Sequence, residues 1–173
     1  MIFVNLGALV IAVLLIAAEI MIQPISFGID HEGNLPAQLI RLLAIFAAII
    51  GGSVAYLLAH ELTHGVMIKI FSGKKARYGF TGLYAYAGSD AYFNRNQYLA
   101  VALSPVILFG VIFLVLNLIL PVKWFWMVYF LQVINISGAT GDLYITYLMC
   151  KAPKEVLTRD QGVEMIFYSR EKP

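Results

Sequence analysis

His60-Glu61-Leu62-Thr63-His64 is the stretch with the most chemistry in the chain. On a helix, residues four apart lie on one face, so the imidazoles of His60 and His64 could converge on one metal ion. Glu61 stands beside the first histidine, close enough to deprotonate a water delivered to that ion. Two of the three histidines in the sequence fall within these five residues. Two structural histidines at a helix end would be the bland alternative. In an apolar helix that alternative is weak, because ionisable groups at membrane depth are rare and usually functional. A catalytic zinc site takes three protein ligands and keeps a fourth position open, so a third donor must come from elsewhere.

The elements that must position these groups are apolar. Of the 173 residues, 61% are hydrophobic and only 13% charged, and the mean hydropathy is +0.82. A soluble domain has about 45–50% apolar and about 25% charged residues. A net charge of +2 gives no footing for nucleic acid. The lone Cys150 excludes an internal disulfide. The apolar stretches Ile2–Ile22, Leu39–Ala59, Tyr98–Leu120 and Val122–Cys150 are each long enough to cross a hydrocarbon core of about 30 Å. The first has no basic leader and is too long for a signal-peptide core, so it is expected to be retained. The expected fold class is therefore membrane all-α, one domain over 1–173. Its four transmembrane helices span about 2–22, 37–71, 97–120 and 122–150, with a strand-like loop at 76–93 and a tail at 151–173.

Lys and Arg set the orientation. They are missing from Gln23–Pro36 but frequent in Ser72–Asn96 and after Cys150, which places both termini and the 72–96 loop in the cytoplasm. Trp124, Trp126 and Tyr129 would then be anchors at the outer interface. Depth selects the third ligand. Apart from Glu61, the spans hold two acidic residues, Glu19 and Asp142. His60 follows Leu39 by about 32 Å of helix, and Asp142 follows Val122 by about 30 Å, at 1.5 Å per residue. Asp142 thus reaches the level of the histidines, near the cytoplasmic face. Glu19 lies near the outer end of its span, level with Arg41, where an ion pair is the expected role.

Around Asp142 the run Asn135-Ile136-Ser137-Gly138-Ala139-Thr140-Gly141 interrupts an apolar helix with glycines and small polar groups, as happens where backbone lines a cavity or site. Asn135, two turns before Asp142, is a candidate substrate-binding residue or else an interhelical contact. From Arg77 to Ala87, Tyr78, Phe80, Tyr84 and Tyr86 share one parity, which reads as a strand with one aromatic face. Gly88-Ser89-Asp90 reads as a turn, with Ala91-Tyr92-Phe93 returning as a second strand. The tail alternates too, so a small β-hairpin or sheet is expected on the cytoplasmic side. Its exposed edge could bind an extended peptide, with Tyr84 and Tyr86 contacting the substrate; a membrane-surface anchor is the alternative.

His60-Glu61-Leu62-Thr63-His64-Gly65 with Lys69 and Phe71, Ala102-Leu103-Ser104-Pro105, and Asn135 to Asp142 resemble the site-2 protease type of intramembrane metallopeptidase. The resemblance is closest to the small bacterial membrane proteins grouped under the name "putative zincin peptidase", and covers roughly 40–170. It implies Zn2+ on His60, His64 and Asp142, with Glu61 as catalytic base. The asparagine-to-aspartate interval is seven residues rather than the usual eight, and the usual proline after the asparagine is missing. The expected function is hydrolysis of peptide bonds in a membrane-embedded or membrane-proximal polypeptide by an integral plasma-membrane enzyme in contact with the lipid bilayer. The alternatives are a non-catalytic membrane zinc-binding or regulatory protein, which would not need Glu61, and an ion transporter, for which four spans without a repeat are few.

Overall fold

The computed structural model describes residues 2–25, 34–82 and 84–168. Most of the expected outer loop, including Asp30 and Glu32, lies outside the described residues, as do Arg170 and Lys172. The elements run α1 (Ile2–Ile22), α2 (Leu35–Ser72), β1 (Arg77–Phe80), β2 (Ala85–Gly88), β3 (Tyr92–Asn94), α3 (Arg95–Ile119), a single 3-10 turn (Val122–Trp124), α4 (Phe125–Gly138), α5 (Thr140–Lys151), β4 (Leu157–Asp160) and β5 (Met165–Tyr168). The chain is mostly helical, with small antiparallel sheets. Three of the helices, α1, α2 and α3, are long and apolar enough to cross a membrane, which is compatible with membrane insertion. The 122–150 stretch is not one helix. It divides at Ala139 into pieces of 14 and 12 residues, where the Ser137 and Thr140 hydroxyls bond the carbonyls of Val133 and Ser137. Such side-chain bonds, together with flanking glycines, weaken a helix locally.

Helix ends follow from identifiable caps. Asn34 Oδ1 accepts the Ala37 N–H at 3.2 Å, and Pro36 sits in the first turn, where a missing N–H costs nothing. The end of α2 is set by Gly73, with φ +69° and its N–H on the Lys69 carbonyl, the usual left-handed stop. Asn94 and Gln97 cap α3 reciprocally: each side-chain oxygen accepts the other's backbone N–H at 3.0 Å, as in a capping box.

Two compact units are distinguished, and α2 and α3 each contribute to both. In the unit of Met1–Tyr56 and Leu108–Thr140, Tyr56 packs with Phe109, Phe113 and Val128. There α1 and the residues just after it are fastened to α4 by two hydrogen bonds of 2.9 Å, Tyr129 Oη–H to the Leu15 carbonyl of α1 and Trp126 Nε1–H to the Pro24 carbonyl beyond its end. Trp126 is thus a buried staple rather than an interfacial anchor, whereas Trp124 is exposed. Among the described residues no ion pair joins Glu19 to Arg41.

In the unit of Leu57–Ile107 and Gly141–Pro173, the core is Ile68 of α2, Phe93 of β3, Tyr98, Val101 and Ala102 of α3, Met149 of α5, and Val156. Its strands form two sheets, β1–β2 and β3–β4–β5, all antiparallel. The stretch from Arg77 to Ala87 is therefore a hairpin and not a single strand. The chain reverses at Thr81–Tyr84, where Gly82 has φ +91° and the Thr81 N–H bonds the Tyr84 carbonyl. Pairing matches Tyr78 with Ala87 and Gly79 with Tyr86, so the aromatics do not share one face. After Ser89-Asp90 the chain enters the other sheet rather than returning to the first. The alternating tail is the β4–β5 hairpin, as its pattern predicts.

Candidate metal centre

The metal-binding candidates lie entirely within the second unit. α2 puts His60 and His64 one turn apart, at 7% and 8% exposure, and the first turn of α5 supplies Asp142. His60 Nε2 and His64 Nε2 are 3.2 Å apart. Asp142 Oδ2 is 3.3 Å from His60 Nε2, and Asp142 Oδ1 is 3.5 Å from His64 Nε2. Donors about 2.0–2.2 Å from a tetrahedral zinc ion lie roughly 3.3–3.5 Å from one another. The separations are close to that spacing, although Asp142 presents a different oxygen to each ring; with one donor atom per residue, all three lie within 4.8 Å of one another.

The chemistry of the donors gives the same answer. His64 Nδ1 lies 2.9 Å from the Val101 carbonyl oxygen, which can only accept, so Nδ1 carries the proton and Nε2 offers a lone pair. That lone pair faces another imidazole nitrogen and a carboxylate. A shared cation turns this mutual repulsion into coordination, and the carbonyl on the far side of the ring fixes tautomer and orientation. The residues present fit zinc, two nitrogens and one carboxylate oxygen with a fourth position left for water or substrate.

Glu61 points toward the neighbouring hairpin, where its carboxylate accepts the Ala87 backbone N–H of β2. The register explains why that amide is available: Gly79–Tyr86 and Arg77–Gly88 are the pairs bonded to each other, which turns the Ala87 N–H outward. Beside His64, helix α2 carries Gly65. A Cβ there would overlap the Tyr78 hydroxyl and lie 2.6 Å from Tyr78 Cζ, so a glycine lets the end of the Tyr78 side chain rest on the helix. From the tail, Asp160 accepts the Tyr98 hydroxyl and, at 2.7 Å, the Gly162 N–H. Burial pushes the Asp160 carboxyl up, against those two bonds.

The other candidate residues are engaged differently. Tyr84 closes the hairpin turn through its backbone, with its ring half-buried. The Tyr86 ring covers Gly79 and Gly162, joining the hairpin to the tail turn. Asn135 is fully buried in the first unit and accepts the Tyr56 hydroxyl at 2.9 Å. Asn135 belongs to α4 and Asp142 to α5, on either side of Ala139. The Val101 carbonyl and the Ala87 N–H are backbone groups, which carry no residue-type signal, and the Tyr98–Asp160 pair joins side chains 62 residues apart in sequence, so none of the three is legible from residue types.

A family model described as "Putative zincin peptidase" matches residues 53–157. That is more than half of the chain, and the chain belongs to this family of zinc metallopeptidase type. Membership implies zinc, and His60, His64 and Asp142 are the group of the chain's described residues able to hold it. No curated protein and no solved structure matches the chain.

Proposed function

We propose that the protein is an intramembrane zinc metallopeptidase of site-2 protease type, hydrolysing a peptide bond in a membrane-embedded or membrane-proximal polypeptide. The observation that carries this reading is the triangle of His60, His64 and Asp142 donor atoms with Glu61 next to it on the same helix. Zinc bound there would supply Lewis-acid activation of water and of the scissile carbonyl. His64 is oriented by the Val101 carbonyl. Glu61, held by the Ala87 N–H, takes the proton of the attacking water and passes it to the leaving amine. A helical substrate hides its carbonyls, so it must be extended locally, and the β1–β2 hairpin beside Glu61 is the template offered for it, with Tyr84 as an aromatic contact. In this reading α1, α2, α3 and the divided 122–150 stretch are four spans, both termini are cytoplasmic, and the centre lies near the cytoplasmic face of the plasma membrane.

The test is metal content and cleavage measured together. Purified wild type should hold stoichiometric zinc, and His60→Ala, His64→Ala and Asp142→Ala should each lower zinc occupancy and abolish hydrolysis. Full zinc retention by Asp142→Ala would remove it as the third ligand.

A further inference from the structure

We propose that Pro105 is a positioning residue for His64, acting by leaving the Val101 carbonyl without its helical partner. This inference rests on the zinc reading of the site. Pro105 lies inside α3 and is fully buried. In an α-helix the carbonyl of residue 101 accepts the N–H of residue 105. Proline has no N–H, and its ring crowds the carbonyl four residues back. The Val101 oxygen instead receives His64 Nδ1–H at 2.9 Å and the Ser104 hydroxyl at 3.0 Å. A carbonyl oxygen has two lone pairs, and these two donors fill them.

The consequence reaches the metal face directly. With Nδ1 held by Val101, Nε2 of His64 is fixed as the lone pair that lies 3.2 Å from His60 Nε2. A proline inside a helix is the least favourable residue for that helix. Its place at a buried helical position is accounted for by what it frees rather than by what it packs. A residue of any other type at 105 restores a third donor, which competes with His64 for the same oxygen.

The experiment compares zinc affinity with apo-protein stability for the full chain in detergent or nanodiscs, using competition against a chromophoric chelator and thermal unfolding. Pro105→Ala should weaken zinc binding about 10–100-fold, the range for loss of an outer-shell partner, while the apo protein unfolds at the same or a higher temperature. The ester counterpart of P105A, in which the alanine amide N–H is replaced by oxygen, has the same methyl group and no donor. It should bind zinc nearly as tightly as wild type. Equal zinc affinity of Pro105→Ala and wild type would overturn the inference. So would an ester variant that loses as much affinity as the amide, since packing and not the N–H would then be responsible. A wild type that binds no zinc would instead overturn the reading of the site itself, before Pro105 is tested.

Discussion

Replacing Glu61 separates the base from the ligands. Glu61→Gln has the same shape, and its amide oxygen can still accept the Ala87 N–H that holds the carboxylate, so the β2 contact and the zinc donors should stay in place. What disappears is the ability to take a proton. Loss of a general base costs about 10²–10⁴-fold in rate, or about 2.7–5.4 kcal/mol of barrier. Glu61→Asp retains a base but withdraws it by one methylene, about 1.5 Å, and a displacement of about 1 Å can already cost about 10²-fold. Both variants should hold zinc at the wild-type level by elemental analysis. Single-turnover cleavage of a reconstituted transmembrane peptide should fall for both, with Glu61→Gln at least as impaired as Glu61→Asp. Wild-type cleavage by Glu61→Gln would refute the mechanism even with zinc present. Loss of zinc from Glu61→Gln would show that Glu61 is a ligand and that the donor set is misassigned.

Further expectations concern the scaffold. Asp90 bonds Arg77 of β1 and Arg159 of β4 at 2.7 and 2.5 Å and accepts the Gln161 amide at 2.6 Å; Arg159 first, then Gln161, then Arg77 lower its carboxyl to about 2. A depressed folded value means the tie is fully present above the ordinary 3.8 and is lost as pH falls toward 2. The protection factors of the β1–β2 amides, their intrinsic pH-dependent exchange rates divided by those observed, should therefore fall across that window, and in Asp90→Asn they should be low and independent of pH. Tyr56→Phe removes the hydroxyl donated to Asn135 and should cost about 0.6 kcal/mol, at most about 1.7, in reversible unfolding in micelles. No loss at all would leave Asn135 without this structural role. In a Cys150→Ser background, a cysteine at Asn34 should react with an impermeant thiol reagent added outside intact cells, and one at Lys74 should not. The opposite pattern would invert the proposed orientation.

Much of the site was legible because it depends on residue type and helical spacing. His60, Glu61 and His64 lie within one turn, and Asp142 followed from the scarcity of acids in apolar stretches. Three long helices followed from length and hydropathy, and the β4–β5 hairpin from alternation. The hairpin at 77–88 was misread because the aromatic parity runs unbroken through its turn. A two-residue reversal pairs even positions with odd ones, so Tyr86 meets Gly79 and lies on the face opposite Tyr78. The outer-anchor role of Trp126 failed because its indole N–H finds the Pro24 carbonyl, a partner that residue type cannot announce. The break at Ala139 was foreshadowed by its glycines and hydroxyls.

What remained hidden is mostly backbone. His64 is oriented by a carbonyl of α3, and Glu61 is held by an amide of β2. Neither contact requires a particular side chain at residue 101 or 87. Each does require that the backbone group be released from its ordinary partner, and there the sequence leaves indirect marks. Pro105 releases the Val101 carbonyl, and the turn at Thr81–Tyr84 sets the register that points the Ala87 N–H outward. Gly65 lets the end of the Tyr78 side chain rest on the helix beside His64. A short ligand motif can therefore be completed by prolines, glycines and turns far along the chain. Substitutions at those positions should perturb zinc binding or proton transfer without touching a ligand.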